Sequence, residues 1–288
     1  MTSAVPRSRF ALRRSVDDHR PDRMPVPPQT LRPQQITSAA VIIAVLVAAH
    51  VLAWRGTEIA PDTLVRGWAG MARFIGEAVP PDISWPTVVG PGLQACLVTL
   101  WIGLLGTTFS IPFSFLLAIL GSRATTSNAV VYQVARGLLS FLRAVPDIVF
   151  ALIFVTAVGL GPFPGVLALM FHNTGVMGKL WSEAMEAVDQ GPAEALRIAG
   201  AGRTQIALHA IFPAVLPQLI GLLLYRFDVN VRSSVVLGLV GAGGIGFLIN
   251  QAIQLFRFDQ LLSYILMVLI LVIAVDLLSA AIRRRLQT

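Results

Sequence analysis

The sequence predicts an all-α, polytopic transmembrane helical bundle of about six spans. Three observations carry that expectation. The chain is 55% hydrophobic and only 13% charged, with a mean hydropathy of +0.74, where a soluble domain is roughly 25% charged. Apolar runs of about 20 residues, enough to cross a hydrocarbon core as helix, recur along it. The net charge of +7 is gathered at the ends of the apolar runs and of the chain: Arg7, Arg9, Arg13, Arg14, Arg20, Arg23 and Arg32 crowd the N-terminal tail, and Arg283, Arg284 and Arg285 close the chain. Basic residues flanking apolar spans mark cytoplasmic ends, so this charge argues for topology and against nucleic-acid binding. The single cysteine, Cys96, excludes a disulfide framework and a cysteine metal site.

Residues 1–35 are rich in Arg and Pro, too polar to build a core, and are expected to form a disordered basic cytoplasmic tail. The tail is also too long and proline-rich for an ordinary cleaved signal peptide. Residues 36–90 hold a first span, about Ile36 to Trp54, and then an extracytoplasmic amphipathic stretch. Its Leu64, Val65, Trp68, Met71, Phe74 and Ile75 would lie flat at the membrane interface. Residues 91–288 hold the rest. A second span covers about Leu93 to Leu120, and a polar segment follows from Gly121 to Ser140 with Arg123 and Arg136. A third span runs from Phe141 to Leu160 and ends in the turn Gly161-Pro162-Phe163-Pro164-Gly165. The fourth, Val166 to Leu180, is short and interrupted by His172, Asn173 and Gly175. A polar segment, 191–213, precedes a fifth span from Leu216 to Leu239 and a sixth from Leu261 to Ile282. Counted from a cytoplasmic N-terminus, Arg123, Arg136, Lys179, Arg197, Arg203 and the terminal arginines all fall inside. Both termini are therefore expected in the cytoplasm.

The segment 191–213 reads as a helical elbow. Pro192 suits a first helical turn, Glu194 complements the dipole there, and Gly200-Ala201-Gly202 breaks the helix. A second helical piece, Arg203 to Ile211, is expected to end at Pro213. Physics alone leaves a plain surface loop equally open. The residues also resemble a known pattern, Glu-Ala-Ala, three residues, Gly, nine residues, Ile, any residue, Leu-Pro, carried by ABC importer permeases. Glu194, Ala195, Gly200 and Pro213 match it, while Leu196 replaces the second Ala, Phe212 the Leu and Ala210 the Ile. Ser140-Phe141-Leu142-Arg143-Ala144-Val145-Pro146-Asp147 and the run from Val235 to Gly246 are similar to the phosphonate/phosphate-type subfamily.

The resemblance covers about Pro91 to Arg285 and implies a type I ABC importer permease in the inner (plasma) membrane. It further implies a homodimer enclosing a path for phosphonate or a related phosphorus oxyanion. A cytoplasmic ATPase would use the ATP, this chain binding no cofactor of its own, and an extracytoplasmic binding protein would deliver substrate. Glu194, Ala195, Leu196, Gly200, Phe212 and Pro213 would then couple to the ATPase. In that reading Glu194 caps the elbow, Gly200 bends it, and Pro213 sets the start of the fifth span.

Charges inside spans are costly and usually face a partner or a wet path. Arg226, Asp228 and Arg232 lie in the fifth span, where one broad face could carry both arginines. Arg143 and Asp147 open the third as an i,i+4 pair, loosened by Pro146. Arginines outnumber aspartates, and guanidinium forks match phosphate or phosphonate oxygens. These groups therefore either line an anion path or form structural pairs. Gly241, Gly243, Gly244 and Gly246 have dinucleotide-fingerprint spacing but lack the strand–helix context that gives it meaning. They are read as a gate or a close-packing site. No P-loop is present: Gly178-Lys179-Leu180 lacks the hydroxyl residue. His19, His50, His172 and His209 show no metal-site spacing, and no catalytic cluster is found. The rival reading is a proton-coupled secondary transporter of a small anion, with Arg143, Asp147 and His172 as relay. It leaves the Glu194 to Pro213 pattern unexplained.

Overall fold

The computed structural model describes residues 33–57 and 60–286. The basic tail expected over 1–35 falls almost wholly outside them, and Arg7 to Arg32 entirely so. Among the described residues the chain holds eleven α-helices and no strand. Contacts divide it into two units, 1–66 and 67–288. The first contains α1 (Pro33–Gly56), whose segment Ile36–Gly56 has a mean hydropathy of 2.4 with none of it buried. Such a surface calls for lipid. It agrees with the expected first span to within two residues.

α2 (Pro61–Ala78) opens on Pro61, with Asp62 and Arg66 paired at 2.6 Å. The expected amphipathic stretch is this helix, with Leu64, Val65, Trp68, Met71, Phe74 and Ile75 all exposed. In the second unit, Phe74 meets Phe258 edge to face at 4.9 Å. After α2 the backbone is tied to the start of α11 (Phe258–Leu286): the Asp82 amide donates to the Asp259 carbonyl at 3.2 Å and the Ser263 hydroxyl to the Asp82 carbonyl at 2.7 Å. Hydrogen bonds from Ser84, side chain and then amide, hold the Asp82 carboxyl below its usual range.

α3 (Gly90–Leu120) follows a π-helical turn, Trp85–Val89. Asn128 then caps α4 (Ala129–Ala144), its side-chain oxygen accepting from the Val130 amide at 2.9 Å and the Val131 amide at 3.3 Å. The expected third span, Phe141 to Leu160, is not one helix. α4 ends at Ala144, α5 (Asp147–Val158) starts three residues on, and the two are bent by 83°. Pro146 is the cause: it lacks an amide proton and forces Val145 into extended backbone, φ −81° and ψ 120°. His172 fastens the bend, its Nδ1 lying 3.0 Å from the Val145 carbonyl oxygen.

α6 (Pro162–Ala187) runs 26 residues through the middle of the bundle, against α3, α4, α5 and α9 (Phe212–Leu239). At 1.5 Å per residue it is about 39 Å long. The fourth span is thus longer than Val166 to Leu180, but it is not among the helices apolar enough to cross by composition. Those are four among the described residues, or five if the α4–α5 pair counts as one span, against the six expected. The shortfall has a physical reason. α6 is wrapped by protein, with Asn173, Thr174, Gly175 and Ser182 buried, so it needs no continuous apolar surface facing lipid.

The chain also stays helical through Pro213, where a break was expected. α8 (Arg203–Ile206) passes into a π-helical turn, Ala207–Ile211, and then α9. There the Phe212 amide reaches back five residues to the Ala207 carbonyl. The wider turn accommodates the missing proton and the ring of Pro213. Beyond α9, the helix α10 (Ile245–Gln254) precedes α11.

α9 and α10 meet through Gly238 and Gly246, so closely that a Cβ on Gly246 would collide with the Val235 carbonyl oxygen. Gly246→Ala should therefore lower stability by about 1–3 kcal/mol through overpacking, read as a lower unfolding midpoint of the purified protein. Gly221→Ala, with nothing within 4 Å of its Cβ position, should leave that midpoint in place.

Candidate functional site

Segment 191–213 is an elbow made of α7 (Gly191–Ile198), a glycine turn, α8 and the π-helical turn. Gly200, at φ +84°, ends α7. The Ala201 amide bonds to the Leu196 carbonyl at 3.0 Å and the Gly200 amide to the Arg197 carbonyl at 3.1 Å. This is the paired closure that a left-handed residue makes possible at a helix C-terminus, so Gly200 bends the chain as the sequence suggests. Ala193 is 1% exposed and packs with Ile206, Ala210, Ile211 and Val215 onto Met177, Trp181, Ala184 and Met185 of α6. Leu196 and Phe212 pack against the same cluster. Ala210 therefore fills the place of the pattern's Ile within a closed core.

Glu194 does not cap α7. The Asp189 carboxylate does that work, accepting from the Gly191 amide at 3.0 Å. Glu194 is exposed; its amide donates to the Gln190 carbonyl at 2.8 Å, but its side chain forms no hydrogen bond or ion pair among the described residues. Ala195 and Ile198 are exposed beside it, Ile198 at 89%. The elbow thus turns a buried apolar face to α6 and an open face outward, with Glu194, Ala195 and Ile198 on it.

A polar network lies deeper, where α3, α6 and α9 cross. Arg226 is 8% exposed. It donates to the Asn173 side-chain oxygen at 2.8 Å and the Asn230 side-chain oxygen at 3.2 Å. Asn173 in turn donates to the Ser110 hydroxyl at 2.6 Å and Asn230 to the Thr107 hydroxyl at 2.8 Å. Arg226 has no carboxylate partner among the described residues, although Asp147 is near enough for its charge to act on both Arg226 and His172. The network leaves a buried positive charge held by neutral oxygens.

The other charges make no hydrogen bond or ion pair with it among the described residues. Arg143 is exposed at the end of α4 and does not pair with Asp147; the α4–α5 bend takes the two off a common face. Asp147 instead accepts from the Ile148 amide at 2.9 Å, at the start of α5. Arg232 pairs with Asp228 at 2.6 Å and lies 3.9 Å from Asp276 of α11. It does not share a face with Arg226, because six residues of helix turn it roughly 120° away. The second carboxylate oxygen of Asp228 is buried without a hydrogen-bond partner among the described residues. Thr107 and Ser110 were not singled out from the sequence, where each reads as one more small residue of an apolar span.

At the far end, Gly241, Gly243 and Gly244 all have positive φ, at 95°, 78° and 71°. They turn α9 into α10 against the α5–α6 turn, where the Gly161 amide donates to the Gly241 carbonyl at 3.0 Å. The Ile245 amide bonds to the Thr99 hydroxyl at 2.9 Å. This run is close-packed.

Residues 110–288 match the family of binding-protein-dependent transport system inner membrane components. The chain is 37% identical over 255 residues to a phosphite transport system permease protein of Stutzerimonas stutzeri, covering 87% of this chain and 89% of that one. It is 39% identical over 237 residues to a phosphate-import permease protein of Mycolicibacterium smegmatis, covering 82% of this chain and 44% of that longer protein. Among solved structures, the MetNI methionine ABC transporter in an inward-facing conformation gives a TM-score of 0.60 at 21% identity, covering 71% of this chain and 99% of that one. A bacterial ABC transporter involved in alginate import gives 0.59 at 15% identity, covering 88% and 99%. These likenesses establish the fold.

The network's energetics are testable. Asn173→Ala orphans a charged donor and should cost more than about 3 kcal/mol, whereas Ser110→Ala breaks two neutral bonds, one from Asn173 and one to the Thr107 carbonyl, and should cost about 1–3 kcal/mol. The order of the two unfolding midpoints, measured in lipid nanodiscs, checks this.

Proposed function

The chain belongs to the family of binding-protein-dependent transport system inner membrane components, and from that premise we propose that it is the permease subunit of an ATP-driven importer of phosphorus oxyanions. Phosphite and phosphate follow the two relatives above, and phosphonate, which the sequence resemblance implies, completes the substrate class. The observation that carries the path is Arg226, a buried guanidinium at the crossing of α3, α6 and α9 that forms no ion pair among the described residues. A positive charge left without a counter-ion in low dielectric projects its field further than a paired one. It would draw an anion along that crossing without holding it tightly. Asp147, Arg143 and the Asp228–Arg232 pair would shape the field at the approaches.

The subunit carries out no reaction of its own. Two copies would pair around the path, each offering the outward face of its elbow, with Glu194, Ala195 and Ile198, to a cytoplasmic ATPase subunit. An extracytoplasmic binding protein would deliver the anion. Movement of the elbow would act on the bundle through the apolar cluster that joins Ala193, Ile206 and Ala210 to the last turns of α6. The topology that fits counts α6 as a sixth crossing sheathed in protein. Both termini, the elbow and the α3–α4 loop then lie in the cytoplasm, and the glycine run faces outward. α2 would lie at the outer interface.

Reconstitution of this chain with its ATPase and binding protein in vesicles tests the reading, with labelled phosphate and phosphite as probes. Uptake should require ATP and be competed by a phosphonate. Uptake that ignores ATP and follows a proton gradient would establish a secondary transporter instead. Arg226→Gln should lower uptake by roughly tenfold, as loss of a charged hydrogen-bonding group does, with ATP hydrolysis still stimulated by the binding protein. Gly200→Val, strained at φ +84° by roughly 1–3 kcal/mol, should retain membrane insertion while hydrolysis no longer drives uptake. Uptake in step with hydrolysis in that variant would remove the elbow from the coupling mechanism.

A further inference from the structure

A cleft of about 240 Å³ lies between the α3–α4 loop and the elbow, lined by Arg123, Thr125, Ser127, Arg197 and Arg203 among others. The three arginines come from separate pieces of chain. Arg123 follows the end of α3, Arg197 stands in the last turn of α7, and Arg203 opens α8. We propose that this cleft binds a phosphate group, either inorganic phosphate or the phosphodiester of an anionic lipid, and that occupancy clamps the elbow to the α3–α4 loop.

The charges in the cleft are unbalanced. Arg197 and Arg203 form no ion pair among the described residues, and Arg123 places its guanidinium 5.0 Å from the centre of the Tyr132 ring. The nearby carboxylate, Glu186, is already engaged by the Arg123 backbone amide at 2.8 Å and by Arg136 at 3.3 Å. Three arginines lining one small polar cleft concentrate positive charge there, and a phosphate is the compact anion whose oxygens forked guanidinium donors fit.

Both walls are fixed in advance. The hydroxyls of Thr125 and Thr126 donate to the Ile119 carbonyl, tying the loop to the end of α3. The Gly200 turn holds Arg197 and Arg203 on its two sides, and the Gln205 side chain locks the Gly202 amide at 2.8 Å. An anion between these walls would join two segments that otherwise share few bonds. The cleft also sits just past Leu120, where the long apolar helix α3 ends. A lipid headgroup is therefore a source to test beside the free anion.

The test uses the full-length chain in nanodiscs of phosphatidylcholine alone, or of equal parts phosphatidylcholine and phosphatidylglycerol. Radiolabelled inorganic phosphate is titrated into the first, and the unfolding midpoint is compared between the two. If free phosphate is the ligand, binding should be saturable and weaken by roughly a hundredfold in Arg197→Gln/Arg203→Gln, each lost charged bond accounting for about tenfold. It should persist in Arg226→Gln, which separates this site from the transport path. If the headgroup is the ligand, inorganic phosphate does not bind, but phosphatidylglycerol raises the midpoint of the native chain and not of the double variant. Both side chains are exposed, so the double variant should fold. A double variant that changes neither phosphate binding nor the lipid effect overturns the proposal. So does one that loses only its association with the ATPase, which would assign these arginines to the partner interface.

Discussion

A bilayer offers no hydrogen-bond partner to a polar group, so every such group in a spanning helix must be satisfied by protein. In this chain that constraint falls hardest on α6. His172, Asn173 and Thr174 sit at its middle, and each is answered: His172 by the Val145 carbonyl, Asn173 by Ser110 and Arg226, Thr174 by the Met170 carbonyl at 2.7 Å. Answering them requires α3, α9 and the α4–α5 bend to close on one helix. Asn173 alone draws a donor from α9 and an acceptor from α3. The central place of α6 is thus a consequence of its polarity, and the same residues that unfit it for lipid make it the axis of the bundle.

The bend illustrates how two local necessities combine. Pro146 compels the backbone to leave helical geometry at Val145, which strands the Val145 carbonyl without its intrahelical partner. His172 supplies the missing bond from the neighbouring helix. A break that would be costly in lipid becomes a fixed corner in protein. The π-helical turn at Ala207–Ile211 solves the same difficulty at Pro213 without a corner, by shifting the bonding to five residues. One proline redirects the chain and the other does not. The difference lies in whether the turn before it can widen.

What could be read from the sequence follows the same division. α1, α3, α9 and α11 were legible because each holds a long apolar stretch, even where charges interrupt α9, and hydropathy reports that directly. Gly200 was legible because a glycine after a helical run has one common use. α6 was read too short, since hydropathy cannot distinguish a polar interruption that ends a span from one that neighbouring helices satisfy. The Arg143–Asp147 pairing failed because i,i+4 spacing means proximity only if the helix continues. Glu194 was assigned a cap on charge and position, when Asp189 stood two residues before Gly191 with a better-placed oxygen. Thr107 and Ser110 left no local signal at all. Their role is set by partners on α9 and α6, and no periodicity within α3 points to those.

The arginines of α9 show how one helix can hold like charges for separate ends. Arg232 is half exposed and is satisfied by Asp228 beside it, with Asp276 of α11 further off; such a pair is local and close to neutral. Arg226 is buried and is satisfied only by amide oxygens, which orient its guanidinium while leaving its charge in place. Replacing those amides with a carboxylate would fix the side chain as well and would cancel its field. The choice of Asn at 173 and 230, rather than Asp, is therefore what keeps the crossing of α3, α6 and α9 positive. It also explains why the network extends to Ser110 and Thr107. Each amide nitrogen, turned away from the cation, needs an acceptor of its own at a depth where water cannot provide one.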